Sequence, residues 1–310
     1  MLSAAPVAAE SFRLGLPLDC TLGEDCFIED YVDHEPAPGA QKDFACAFNS
    51  RDGHKGTDIA LLDFDRIAEG VAVRAAAPGR ILRARDGMAD DPNMTGVTEQ
   101  NACGNAVLVD HGGGWQTLYC HMREGSVADV ITPGMDVEAG TQLGLVGLSG
   151  QTNHPHLHLA VMKDGKIVDP FAPDAGAACG TEQETLWAEP PTYYRTGLMT
   201  AGFSTSIPSL DAVRSGAARV TRAERNAALV VYAHVAYGET GDLLTVSGRG
   251  PDGEVFRKEI VLEQPQVSLV QAFGRKPPPG GWPAGDYVGE VLLTRDGIVI
   301  AHRFADVTVH

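Results

Sequence analysis

The chain has 310 residues, 44% hydrophobic and 21% charged, which is enough apolar material for a sizeable core and for more than one domain. Lys+Arg 24 against Asp+Glu 41 leaves a net charge of −17. That balance argues against nucleic-acid binding through phosphates and against charge-driven attraction to an anionic membrane. No apolar run approaches the ~20 residues that a membrane-spanning helix needs.

In chain order, residues 1–50 read as a lead-in rather than a domain. The string Ala4-Ala5-Pro6-Val7-Ala8-Ala9 resembles the small-residue end of a truncated export signal. Pro17, Gly23, Pro36, Pro38 and Gly39 then break any regular period. Residues 51–185 alternate short apolar runs with turn signals, and strands are expected at Val71–Arg74, Gly79–Ala84, Ala106–Val109, Thr117–Tyr119, Gly144–Gly147 and His158–Val161. Between them, residues 86–104 form a long polar loop, and loops of that length are usually functional or tethered.

Residues 186–225, with Pro190-Pro191 and a run rich in Gly, Ser, Thr and Pro, read as a linker with a short helix over Leu210–Arg225. Strands return over 226–310, at Leu229–Ala236, Leu243–Ser247, Val255–Leu262, Val267–Phe273, Asp286–Thr294 and Ile298–Phe304. The expected class is all-β: an antiparallel sheet domain followed by a small Ig-like β-sandwich.

The six cysteines are Cys20, Cys26, Cys46, Cys103, Cys120 and Cys179. None forms a C-x-x-C pair. An even, scattered set suits three disulfides in an oxidising compartment, periplasmic or secreted, and leaves the pairing open.

Three histidine motifs carry the chemistry: His54-Lys-Gly-Thr-Asp58, Tyr119-Cys120-His121 and His156-Leu157-His158. Each spacing alone is weak. His302-Arg-Phe-Ala-Asp306 repeats the first in a terminal strand with no partner motif, and His154 precedes Pro155 in a loop. On a strand, residues i and i+2 share a face. His156 and His158 are therefore expected to enter one site while Leu157 enters the core. By the same rule His121 should share a face with Tyr119, and Cys120 should point away. Gly53 and Gly56 allow a tight bend around His54. Two neutral imidazoles and one carboxylate suit catalytic zinc, with a fourth position left for water.

Taken together, His54-x3-Asp58, Leu118-Tyr119-Cys120-His121 and Gly144-x-Val-Gly-x-Ser-Gly-x4-Pro155-His156-Leu157-His158 resemble the LytM/lysostaphin-type zinc peptidases, peptidase family M23. The resemblance covers about residues 50–172. It implies that His54, Asp58 and His158 bind zinc and that His121 and His156 are catalytic and unliganded. It also implies endopeptidase action on the peptides of bacterial cell-wall peptidoglycan. The alternative is a catalytically silent zinc-binding scaffold or regulator of other cell-wall hydrolases. The C-terminal domain is expected to restrict or position the catalytic domain, to bind a protein partner, or to be a structural appendage. The chain departs from the family pattern at Ser149–Pro155 and at Leu159-Ala160, changes that bear on the groove walls and substrate preference.

Overall fold

A computed structural model describes residues 12–127, 131–174 and 176–310. The string Ala4–Ala9 lies outside these residues.

The first half contains strands β1 (Cys26–Asp30), β2 (Thr57–Leu61), β3 (Ala72–Arg74), β4 (Gly79–Arg85), β5 (Asn105–Gly112), β6 (Trp115–Met122), β7 (Asp136–Val137), β8 (Gln142–Leu145), β9 (His156–Lys163) and β10 (Lys166–Ile167), with one short helix, α1 (Asp65–Glu69). Seven strands run in the order β1-β2-β9-β6-β5-β4-β7, with β10 on β9, and every pair is antiparallel. Alternation gives this sheet two different faces. One carries Ile59, Ile81, Val107, Tyr119, Leu157 and Leu159 into the core, beneath the small β3–β8 sheet. The other bears the histidine motifs.

The lead-in is tied to this sheet. Its β1 pairs with β2 at the edge, and Cys46 joins Cys179 across 133 residues. Cys20–Cys26 and Cys103–Cys120 are the other two disulfides.

The second half contains β11 (Gly197–Ser204), α2 (Leu210–Arg214), β12 (Arg222–Ala223), β13 (Leu229–Gly238), β14 (Leu243–Gly250), β15 (Gly253–Val261), β16 (Gln266–Arg275), β17 (Gly285–Arg295) and β18 (Ile298–Val309). Sheets β11-β13-β16 and β12-β18-β17-β14-β15 enclose one core that includes Val231, Val246 and Val291. Part of the stretch read as a linker is therefore β11, which pairs with β13; it is buried on both faces and interrupted by a bulge between Leu198 and Thr200, so it carries no period of two. The expected helix is only the five residues of α2, capped by the Ser209 side chain. No helix among the described residues is long and apolar enough to cross a membrane.

The halves meet through side chains. Met199, Ala236 and Tyr237 pack with Phe27 and Phe48 of the lead-in. Arg219 pairs with the buried Asp63, and Arg303 donates to the Glu24 carbonyl at 2.7 Å.

Candidate metal centre and catalytic site

Strands β2 and β9 bring the first residues together. In their antiparallel register Asp58 stands opposite His158. His54 reaches the same point from the preceding turn, where Gly53 takes a φ of 71° that disfavours other residues. His54 Nε2 lies 3.2 Å from His158 Nδ1 and 3.1 Å from Asp58 Oδ2, and His158 Nδ1 lies 2.7 Å from Asp58 Oδ1.

This donor set fits zinc. Tetrahedral donors ~2.0–2.1 Å from the ion stand roughly 3.3 Å from one another, close to the spacings found here. His54 Nδ1 donates to the Tyr31 carbonyl at 2.7 Å, so its Nε2 keeps the lone pair a metal requires. Asp58 is fully buried. Burial pushes its carboxyl up, but the imidazoles of His54, His156 and His158 outweigh that and hold it well below the ordinary value.

Behind the carboxylate lies a chain of charged contacts. The Arg51 guanidinium pairs with Asp58 and with Asp30, and Asp30 accepts the Tyr237 hydroxyl from the other half of the molecule. Burial and the Glu29 carboxylate push Asp30 up to about 7, against the pull of Arg51.

His156 and His121 form the second part of the site, with ring centroids 4.7 Å apart. His156 Nδ1 donates to the His154 carbonyl at 2.9 Å, beside Thr152 Oγ1 at 3.1 Å. His121 Nδ1 donates to the Ser149 carbonyl at 2.8 Å. A carbonyl can only accept, so Nδ1 carries the proton in both rings and each Nε2 is left as a lone pair. His156 Nε2 lies 3.6 Å from Asp58 Oδ2. Burial lowers both groups, His156 to about 4 and His121 well below its ordinary value, so both imidazoles are neutral near pH 7.

The structure thus brings together all five residues singled out in the sequence: His54, His121, His156 and His158 line a cleft of about 850 Å³, and Asp58 is buried against them. The reading of the β6 faces needs correction. Tyr119 points into the core, where its hydroxyl meets Ala76 N, whereas His121 lines the cleft beside Cys120. His121 has a φ of 64°, which breaks the strand alternation and turns its ring to the opposite face from Tyr119. The Cys103–Cys120 disulfide is therefore a wall of the cleft, and the Cys103 carbonyl accepts the His121 N–H at 2.9 Å.

The other histidines stay outside the site. His154 is buried and bonds Leu61 O, and His302 of β18 pairs with Glu290 of β17. Arg51, Asp30 and Tyr237 carry no motif that marks them. Arg51 lies three residues before His54, and only its nearness to that motif hints at a role.

Residues 52–170 match the model of peptidase family M23. Over 120 residues it is 32% identical to the DD-carboxypeptidase/endopeptidase Mpg of Neisseria meningitidis, covering 38% of this chain and 22% of that protein. It is 30% identical over 103 residues to the murein hydrolase activator EnvC of Escherichia coli, covering 33% of this chain and 20% of that protein. The chain spans about a fifth of the length of these curated relatives. Among solved structures it resembles the catalytic domain of lysostaphin from Staphylococcus simulans, at 20% identity and a TM-score of 0.30, covering 48% of this chain and 90% of that one.

Proposed function

We propose that this chain is a zinc-dependent endopeptidase that hydrolyses peptide bonds in bacterial cell-wall peptidoglycan, in the stem peptide or the cross-link. The observation that carries this reading is one cleft holding a His54–Asp58–His158 donor set beside two imidazoles whose Nε2 atoms are free. Among similar proteins, Mpg is named a carboxypeptidase/endopeptidase and EnvC an activator. The presence of both unliganded histidines, His121 and His156, favours hydrolysis over a silent scaffold. Three disulfides suit work in the periplasm or outside the cell.

His54, Asp58 and His158 would hold the ion. Zinc, when bound, supplies Lewis acidity that polarises a peptide carbonyl and makes water acidic near neutral pH. The chain's own residues do the rest. One of His121 and His156 takes up the proton of the attacking water at Nε2. The other, when protonated at Nε2, donates to the oxygen that gains charge or to the leaving amine. The backbone carbonyls on Nδ1 keep both rings in the required tautomer throughout.

The test is a digest of purified peptidoglycan sacculi by wild type and His156→Ala, with released muropeptides read by mass spectrometry. New peptide ends from the wild type alone support the proposal, and their masses name the bond. Release by neither protein favours the scaffold, and equal release by both removes His156 from the chemistry.

A further inference from the structure

The cleft that holds the histidines does not end at them. A second cavity of about 500 Å³ continues across the same face and shares Cys103, Leu118 and Met162 with it. The strand registers define its floor. Arg83 stands opposite Leu108, Leu108 opposite Leu118, and Leu118 opposite Ala160, so one row of side chains crosses from β4 to β9. Ala160 lies two residues from His158 on the same face.

A bulge between Ile81 and Arg83 decides what stands at the far end of this row. In a regular strand the two residues would share a face. Here Ile81 opposes Val109 and is buried in the core, while the extra residue re-aims Arg83 to the cleft. Arg83 is exposed and makes no hydrogen bond or ion pair with any described residue. Its neighbour Arg85 donates, among the described residues, to the carbonyls of Gly104 and Gln100 alone, at 2.6 and 3.2 Å. Among the described residues no acidic side chain lines this cavity, in a chain of net charge −17. The two positive charges are therefore left uncompensated beside an otherwise apolar and amide-bearing floor.

We propose that this end of the cleft is a subsite for a free carboxylate of the peptide substrate, held by Arg83 with Arg85 adding to the local field. The proposal rests on the endopeptidase reading above and adds what the substrate must carry. Strand spacing of ~4.8 Å puts Arg83 about 14 Å across from Ala160, and two residues along β9 make it roughly 16 Å from His158. An extended peptide advances ~3.3 Å per residue, so the carboxylate sits about five residues from the bond at the histidines. The preferred substrate is thus an acidic peptide, and the guanidinium fork suits a planar carboxylate.

The experiment uses the full-length, zinc-loaded protein, wild type and Arg83→Gln. The probes are purified cross-linked muropeptides, untreated or with their free carboxylates amidated by carbodiimide and ammonia. Binding is read by calorimetry and cleavage by kcat/KM. Arg83→Gln should lower affinity for the untreated probe by roughly tenfold, the worth of one charge-assisted contact. Amidation should cost the wild type a similar factor and the variant little. Equal binding of both probes by the wild type, or an equal loss by the variant on both, overturns the subsite. Carboxylate-dependent binding without any cleavage upholds the subsite and overturns the endopeptidase reading instead.

Discussion

Tyr237 of β13 donates its hydroxyl to Asp30 of β1, across the boundary between the two halves of the molecule. Tyr237 is buried, takes a φ of 50° on β13 and packs its ring on Phe48 of the lead-in, so both halves of the molecule fix its position. Asp30 in turn holds Arg51, and Arg51 holds Asp58. The second β-domain therefore reaches a candidate metal ligand through two intervening side chains. Supporting contacts of this kind orient ligating carboxylates. Tyr237→Phe keeps the ring and removes the donor. It should cost about 1–3 kcal/mol of stability, because Asp30 loses a buried partner. It should also weaken zinc affinity by about tenfold or more, measured by chelator competition. A lower melting temperature with unchanged affinity would confine Tyr237 to packing.

The two groups of histidines should separate in a metal assay. Asp58→Ala removes a proposed ligand, and the purified protein should retain little zinc by elemental analysis. His121→Ala and His156→Ala leave all three donors in place and should retain about one zinc per chain. Their kcat should fall by about 10²–10⁴-fold, the usual worth of a positioned proton carrier. Loss of zinc from His156→Ala would place that residue among the ligands.

β17 was legible from the sequence because burial on one face writes a period of two, and β13, buried along its whole length, was legible as a continuous apolar run. The edge strand β1 was not: Cys-Phe-Ile-Glu-Asp joins a disulfide cysteine to two acids, and only tertiary pairing with β2 makes it a strand. All five histidine and aspartate residues of the site were visible as motifs, since ligand spacing is local on β9 and in the turn before β2. The aim of His121 was not, because the face rule assumes a regular strand and a φ of 64° leaves no mark in the residue letters. Cysteine pairing and the Tyr237–Asp30 contact are long-range, and local pattern carries no information about either.

Two buried histidines outside the site set an acid limit on stability. Burial, with His154 and Arg214 nearby, lowers His234 to about 3. Burial also lowers His154 to about 4, with Arg214 lowering it further against the Leu61 carbonyl and Asp63. In the unfolded chain each titrates near 6.5. Below that pH the unfolded state binds more protons, so the stability these groups lend is complete above about 6.5 and is lost as pH falls toward 4 and 3. Urea unfolding of the zinc-free protein should show stability falling over this range. In His234→Gln the fall should be shallower by up to about one proton between pH 4 and 6. Identical slopes would mean that His234 does not hold its neutral form in the fold.

Gly56 supports the site through the volume it lacks. Unlike Gly53, it is not among the glycines of positive φ, so backbone freedom does not explain it. A Cβ there would lie 2.5 Å from His158 Cε1, 2.7 Å from its Nε2 and 2.7 Å from the Leu159 carbonyl. The carbonyl belongs to β9, paired on both sides with β2 and β6, and cannot retreat without breaking register. The ring is the part that moves, and its Nδ1 then leaves the 2.7 Å contact with Asp58. Gly56→Ala should destabilise the fold by about 1–3 kcal/mol, as overpacking does. It should also lower zinc affinity by more than any stability loss accounts for, read by chelator competition on the folded protein. Gly53→Ala meets nothing within 4 Å and differs from it in kind, because its cost is backbone strain in the turn alone. Zinc affinity that falls equally in the two variants would trace the effect to the turn that carries His54 and not to the space beside His158.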